Sequence, residues 1–278
     1  IMQQAEQLAT FSAMQGELTR AYLTAEHQQA HQQIAFWMEQ AGLQTWQDSV
    51  GNQWGRKVSA NPILPSLIIG SHSDTVTNAG KYDGNLGVLL AIEAMHALAD
   101  SDLPFHVDVV AFADEEGTRF NTTLIGSSAV AGCFQPAWLD VKDSQGITMG
   151  EALRDYGLQP ALAGSDKRSA EDTLAYLEVH IEQGPVLESQ DLPVGALPHV
   201  RPRDSLEVLK AHRHVARPRR RVYREWLRQV VDPDPAHEFK ELGCGHLKSS
   251  HPRRNRPRGL LPRSGRVPRP LVPSPACA

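Results

Sequence analysis

Hydrophobic positions follow recognisable helix and strand patterns only in the first 200 residues. Apolar side chains recur with a helical spacing from Glu17 to Gly42, and glycine is a common C-terminal stop, so one long helix is predicted there. The Gly51-Asn52 pair then marks the turn of a short hairpin. The segment Leu86–Leu98 is apolar enough to form a buried helix.

Three short apolar runs share one design, because each ends in ionisable residues. The runs are Leu67–Ile69, residues 105–112 and Leu174–Val179, and they end in Ser71-His72-Ser73-Asp74, Asp114-Glu115-Glu116 and His180-Ile181-Glu182-Gln183. Each run predicts a buried strand, and residues 84–98 predict the helical crossover between the first two. In open α/β sheets, ligands bind at the carboxyl ends of the strands. The pattern therefore predicts an α/β fold with a site at one sheet edge.

The charge distribution marks a boundary near residue 200. Residues 1–200 carry 9 Lys and Arg against 25 Asp and Glu, whereas residues 201–278 carry 19 against 7. Hydrophobic periodicity also fails beyond Pro198, and proline is dense from Pro252 to Pro275. We therefore expect residues 1–198 to form part of a catalytic domain. Residues 199–278 are expected to be a basic tail that is disordered or translated out of frame.

Composition narrows the function classes. No apolar run is long enough for a membrane span, and the polar start of the chain does not resemble a secretory signal. Three widely spaced cysteines favour a reducing cytoplasm. The basic tail could attract nucleic acid, but its only aromatic residues are Tyr223, Trp226 and Phe239, so this partner is disfavoured.

The strand ends supply ligands suited to hard divalent cations. These are His72, Asp74 and Asp83, then Glu115 and Glu116, then His180. Imidazole and carboxylate without cysteine suit Zn²⁺, Mn²⁺ or Co²⁺ in a catalytic site. Each residue alone has an ordinary explanation as a structural histidine, a solvated glutamate or a turn aspartate. Their combination at successive strand ends favours a site with two metal ions.

Four segments resemble the M20-type amidase/hydantoinase/carbamoylase family, which includes allantoate amidohydrolase, N-carbamoyl-L-amino-acid hydrolase and β-ureidopropionase. They are Gly70–Thr75, Lys81–Val88, Asp114–Phe120 and His180–Pro185, within a resemblance that covers residues 5–196. The resemblance implies a mixed sheet flanked by helices and two divalent ions, Zn²⁺, Mn²⁺ or Co²⁺. It also implies a ureido or carbamoyl substrate and a homodimer. Residues 120–127 most resemble allantoate amidohydrolase.

The resemblance also implies roles for the ligands. His72 would bind one ion, with Asp74 orienting its imidazole, and His180 would complete that ion's ligand set. Asp83 would bridge both ions, and Glu116 would bind the second ion.

Two further residues would act on the substrate. Glu115 would be the general base, taking a proton from metal-activated water and passing it to the departing nitrogen. Gln183 would contact the substrate.

The chain departs from the family after Gly195. The family continues into a lid or dimerisation domain and returns with a last histidine ligand, whereas this chain reads Ala196–Arg203 and then the basic tail. We interpret this as a change of reading frame near residues 196–200, so the fold is expected to be incomplete and the dimerisation domain missing. The alternative to an active enzyme is a catalytically incompetent remnant whose basic tail binds anionic surfaces or nucleic acid.

Overall fold

A computed structural model describes residues 1–199 and 208–213. Its helices are α1 (Met2–Ala9), α2 (Ala25–Gln40), α3 (Asn85–Ala97), α4 (Ile125–Val130), α5 (Met149–Asp155) and α6 (Val186–Ser189). Its strands are β1 (Gln44–Gln47), β2 (Gln53–Lys57), β3 (Ser66–His72), β4 (His106–Phe112), β5 (Thr173–His180), β6 (Val194–His199) and β7 (Val208–Arg213). Two short 3-10 helices cover Pro136–Asp140 and Pro160–Leu162.

The seven strands form one mixed sheet in the order β1-β2-β4-β3-β5-β7-β6. Strand β3 lies between β4 and β5 and runs parallel to both, while β2 pairs with β4 in the antiparallel sense. Helix α3 connects β3 to the parallel strand β4, as predicted for residues 84–98. The predicted mixed α/β sheet is therefore confirmed, and the carboxyl ends of β3, β4 and β5 lie at one edge.

Both faces of the central sheet are buried. On β4, Val107, Val109 and Ala111 point to one face and pack with apolar residues of α1, α2 and α3. Val110 and Phe112 point to the other face and pack with residues that include Trp54 and Tyr176. This alternation follows from the two-residue period of a strand. It explains why the predicted run from 105 to 112 is almost continuously apolar.

The predicted helix from Glu17 to Gly42 was wrong at its start. Helix α2 begins at Ala25, where the Thr24 side chain caps it by accepting the backbone N–H of His27. Leu23 has a positive φ of 56°, and the Tyr22 hydroxyl donates to the carbonyl of Val50. These apolar residues are therefore buried in a loop, where they join the core around α5 and do not extend the helix.

Strand β7 was not predicted, because the sequence pattern beyond Pro198 indicated no strand. Its backbone pairs with β5 in parallel and with β6 in antiparallel orientation. Half of its six residues are basic, namely Lys210, His212 and Arg213, so the hydrophobic pattern gave no signal of a strand. The other expectations for the tail, namely disorder or a change of frame, concern residues 200–207 and 214–278, which lie outside the described residues. No helix within the described ranges is both long and apolar enough to cross a membrane.

Candidate metal centre

Three parallel strands deliver the candidate ligands to one sheet edge. His72 is the last residue of β3, and His180 is the last residue of β5. Glu115 and Glu116 follow β4 after a two-residue extension. Because β3 is the middle strand of these three, its histidine lies beside the ends of both neighbours. The sequence-based expectation that these residues share one edge is met.

His72, Asp83 and His180 form a compact three-residue cluster. The Nε2 atoms of His72 and His180 are 3.4 Å apart. The Oδ1 atom of Asp83 lies 3.2 Å from Nε2 of His180 and 3.8 Å from Nε2 of His72. Both histidines are buried, with 3% and 7% of their surface exposed.

These separations fit the ligand set of one small divalent ion. With bonds of about 2.0–2.2 Å to nitrogen and oxygen, a tetrahedral ion places neighbouring ligand atoms about 3.4 Å apart. The three observed distances of 3.4, 3.2 and 3.8 Å are close to that spacing. Two imidazoles and a carboxylate also have the chemistry of a catalytic zinc or manganese site. The cluster could therefore hold an ion with little rearrangement.

The two glutamates form a second group with His72. One ligand atom from each of His72, Glu115 and Glu116 lies within 4.8 Å of the others. Both glutamates are half-buried. The pKa of Glu116 is raised, chiefly by burial and also by the nearby Glu115, although His72 acts to lower it. This group could contribute to a second ion beside the first, with His72 facing both groups.

Asp74 links the loop that follows β3 to the loop that follows β4 through hydrogen bonds. Its Oδ1 atom accepts the backbone N–H of Glu115 at 3.0 Å, and its Oδ2 atom accepts that of Glu116 at 3.1 Å. Oδ1 also lies 3.4 Å from Nδ1 of His72, whose ring contacts the Asp74 carbonyl at 3.1 Å. A carboxylate behind the imidazole orients the ring and increases its basicity. The carboxylate and the carbonyl of Asp74 therefore both face Nδ1 of His72, which is the position that an orienting role requires.

The charge of the site attracts cations. Burial lowers the pKa of His72, but hydrogen bonds with Asp74 and Asp83 outweigh it and leave the pKa raised. For His180 too, burial lowers the pKa whereas the hydrogen bond with Asp83 raises it, and the net result is a raised pKa. The hydrogen bonds from His180 and His72 are the main reasons why the pKa of Asp83 falls well below its usual range. The surroundings thus favour positive charge between these three residues.

Gly84 allows the start of α3 to approach His72 closely. It is the N-cap residue of α3 and has a positive φ of 63°. A Cβ atom built there would lie 2.5 Å from three atoms of the His72 ring. Only glycine avoids both the backbone strain and this clash. The Asp83-Gly84 pair therefore brings a carboxylate next to a buried imidazole.

Gln183 contacts the centre through Asp83. Its amide nitrogen lies 2.9 and 2.8 Å from the two carboxylate oxygens of Asp83. Gln183 also has a positive φ of 56°, which is uncommon outside glycine and often marks functional positions. The residue predicted to contact substrate thus lies at the rim of the three-residue cluster.

The sequence analysis missed the buried residues that support the centre. The Ser71 hydroxyl donates to Glu178 at 2.7 Å, and Nε2 of His31 lies 2.6 Å from the Ser73 hydroxyl. Arg20 is fully buried, and its Nε donates to the carbonyl of Ser73 in the loop after β3. The Ser71–Glu178 and His31–Ser73 pairs are separated by 107 and 42 positions along the chain, so no local pattern identifies them.

Comparison with known proteins gives a consistent result. The model for peptidase family M20/M25/M40 matches residues 68–248, which is more than half of the chain. This match extends past residue 196, where the resemblance seen in the sequence ends. An N-carbamoyl-L-amino acid amidohydrolase from Geobacillus stearothermophilus is 42% identical over 182 residues, which is 65% of this chain and 44% of the relative. Allantoate deiminase 2 from Glycine max is 38% identical over 208 residues, 73% of this chain and 43% of the relative.

Solved structures agree with these relatives. The crystal structure of AtUAH in complex with (S)-hydroxyglycine superposes with a TM-score of 0.66 and 33% identity, covering 71% of this chain and 49% of that chain. A hydantoinase/carbamoylase family amidase from Burkholderia ambifaria gives a TM-score of 0.63 at 31% identity, over 70% of this chain and 47% of that chain. The chain spans less than half the length of the curated relatives described above.

Proposed function

The chain belongs to peptidase family M20/M25/M40, and on this basis we propose that it is a metal-dependent amidohydrolase that cleaves a linear C–N bond of a ureido or carbamoyl compound. The observation that carries the proposal is the cluster of His72, Asp83 and His180, whose ligand atoms have the spacing of a tetrahedral metal site. The names of the relatives, a carbamoyl amino acid amidohydrolase and an allantoate deiminase, supply the substrate class.

His72, Asp83 and His180 would hold the first ion, and Asp83 together with Glu116 would hold the second. When bound, the two ions, Zn²⁺, Mn²⁺ or Co²⁺, would supply Lewis-acid polarisation of the substrate carbonyl and a lower pKa of water. Asp74 would keep the His72 ring in the orientation that presents Nε2 to the cluster, since its carboxylate and carbonyl both face Nδ1.

Glu115 would be the general base. Its backbone is fixed by the hydrogen bond to Asp74, and its carboxylate lies in the same group as Glu116 and His72. It would accept a proton from the attacking water and deliver it to the nitrogen that leaves when the C–N bond breaks. Water and a ureido group would together yield ammonia, carbon dioxide and an amine, which balances the reaction.

Gln183 would orient the substrate. Its amide already donates toward Asp83 at the rim of the cluster, so a small rotation would present a donor or acceptor to a bound carbamoyl group. Within the substrate class, the sequence of residues 120–127 favours allantoate over an N-carbamoyl-L-amino acid.

The proposal is tested by metal content and ammonia release. The full chain is purified, incubated with Zn²⁺, Mn²⁺ or Co²⁺, freed of excess metal and assayed with allantoate and with N-carbamoyl-L-amino acids. We expect bound metal and released ammonia, with His72→Ala losing both. The matched control is His96→Ala, which changes an exposed histidine of α3 and should lose neither.

A second candidate function is metal binding without turnover of substrate, because the cluster of His72, Asp83 and His180 by itself accounts only for binding an ion. Bound metal without ammonia from either substrate class would favour this second candidate. Absence of both metal and ammonia in the folded chain would overturn the proposal.

A further inference from the structure

Arg20 is a fully buried cation with neutral hydrogen-bond partners. Its exposed surface is 0%, and among the described residues no carboxylate lies within ion-pair distance of its guanidinium. Burial of an unpaired charge is costly unless its donors are satisfied. Burial lowers the pKa of Arg20 to about 10, with Asp74 acting in the opposite direction, so the side chain remains charged at neutral pH. Because burying this charge costs folding free energy, we expect its contacts to serve a structural or functional role.

Arg20 is bonded to the loop that follows His72. Its Nε donates to the carbonyl of Ser73 at 2.8 Å, and its backbone N–H donates to the Thr75 hydroxyl at 2.9 Å. The backbone N–H of Thr75 returns a bond to the carbonyl of Arg20 at 2.9 Å. These three bonds flank Asp74, which in turn binds the backbone of Glu115.

The same guanidinium reaches the loop that carries Asp83. Its Nη2 donates to Oδ1 of Asn85 at 2.7 Å. The side-chain and backbone N–H groups of Asn85 both contact the carbonyl of Asp83, at 3.1 and 2.6 Å. Its Nη1 binds the carbonyls of Leu8 and Phe11, at 2.7 and 3.2 Å, and so anchors the arginine to the end of α1.

We propose that Arg20 is a positioning residue for the candidate metal centre, holding the His72–Thr75 segment and the Asp83–Asn85 segment at a fixed separation. The inference rests on the proposed metal-binding function. A planar guanidinium with five donors in a rigid fork can bind both segments at once, whereas a lysine ammonium cannot reproduce that geometry. Removing the fork should therefore let the two ligand segments move relative to each other.

A merely structural role is the competing explanation, and matched variants distinguish the two. Arg20→Lys keeps the charge but loses the fork. Arg56→Lys makes the same change at another bidentate arginine, which binds Asp108 at 2.6 and 2.7 Å and also Ser66. Ser66 begins β3, so this control lies at the end of the strand opposite His72.

Two measurements on the full chain test the proposal. Metal affinity is measured by competition with a chelator, using Zn²⁺ and Co²⁺. Backbone amide hydrogen exchange is measured on the metal-free chain, because it reports local opening without any ion. We expect Arg20→Lys to weaken metal affinity by about 10-fold or more, as for other groups behind metal ligands. Exchange should accelerate in residues 71–76 and 83–87. Arg56→Lys should leave both readouts unchanged.

The outcomes separate this inference from the proposed function. If the parent chain binds no metal, the proposed function fails, and the hydrogen exchange of the metal-free chain still decides the role of Arg20. If Arg20→Lys shows parental exchange in both segments and parental affinity, the inference is overturned. If Arg20→Lys does not fold, Asn85→Ala leaves Arg20 in place but removes the Nη2 acceptor, together with the side-chain donor to the Asp83 carbonyl. Unchanged exchange at 83–87 in that variant overturns the inference equally.

Discussion

The carboxylate of Asp74 accepts the backbone N–H of Glu115 across 3.0 Å. Asp74 belongs to the loop after β3 and Glu115 to the loop after β4, so one side chain joins two neighbouring strand ends. A hydrogen bond to an ionised acceptor is stronger than a neutral one, and burial of Asp74 strengthens it further. The bond therefore fixes the proposed base relative to the strand end that carries His72.

Replacement of Asp74 should loosen the centre. Asp74→Asn removes the negative charge behind the imidazole and leaves only one acceptor for the two backbone N–H groups. We expect metal affinity to fall by about 10- to 100-fold, the usual effect of losing a group that orients a metal-bound histidine. The pKa of His72 in the metal-free chain should also fall, because Asp74 raises it. Chelator competition measures the first effect, and NMR titration of the histidines measures the second.

The control for Asp74 is Asp108→Asn. Asp108 is also fully buried, but it binds Arg56 and Arg168 at a position well before the end of β4. This variant should lose stability without losing metal affinity. Equal losses of affinity in both variants would contradict a specific role for Asp74.

The two adjacent glutamates should separate into a base and a ligand. Glu115→Gln should retain the parental metal content but lose at least about 100-fold in turnover, because general-base catalysis typically contributes that much. Glu116→Gln should lose one ion per chain and, with it, activity. Metal analysis of the purified variants and ammonia release measure the two effects. If Glu115→Gln loses metal and Glu116→Gln retains it, the predicted roles are reversed.

The strand ends could be predicted because their chemistry is local in the sequence. His72, the Glu115-Glu116 pair and His180 each come at or shortly after the end of an apolar run, and parallel strands bring their carboxyl ends to one edge. The same local information placed the hairpin around Gly51-Asn52 and the helix that became α3.

The supporting residues could not be predicted, because their partners are distant. Arg20 binds Ser73 and Asn85, which lie 53 and 65 positions further along the chain. Tyr22 and Leu23 misled the helix prediction for a related reason, since apolar spacing cannot distinguish a helix face from a loop buried by tertiary packing. Only the fold shows that this loop lies beneath the candidate centre.

Two buried histidines of α2 should make the chain sensitive to acid. Burial, with the charge of Arg20 as a further cause, lowers the pKa of His31 to about 3. Burial and His31 lower the pKa of His27 well below its usual value. The unfolded chain binds these protons near pH 6.5, so it holds more protons than the folded chain below that pH. The free energy of unfolding should therefore fall as pH falls below 6.5, by about 1.4 kcal/mol per unit for each histidine.

The measurement is urea denaturation of the metal-free chain between pH 7 and pH 5. His31→Gln should reduce the slope of the unfolding free energy against pH by the contribution of one histidine. The glutamine amide can still donate a hydrogen bond to the Ser73 hydroxyl. The same change at the exposed His96 should leave the slope unaltered. Other groups also titrate in this range, so the prediction concerns the difference in slope between each variant and the parent chain. Identical slopes in His31→Gln and the parent would refute it.

Gly84→Ala should disturb the centre more than its backbone conformation alone requires. Gly84 and Gly16 both have positive φ, 63° and 82°, but a Cβ at Gly16 meets nothing within 4 Å whereas one at Gly84 meets the His72 ring at 2.5 Å. Gly16→Ala therefore measures the backbone strain, about 1–2 kcal/mol of unfolding free energy. Gly84→Ala should cost more than this and should also weaken metal affinity, since either His72 or the Asp83 loop must move. Thermal or urea unfolding gives the first comparison and chelator competition the second. Equal stability losses in the two variants, with parental metal affinity in both, would show that the close approach of Gly84 to His72 is not needed to hold the ligands together.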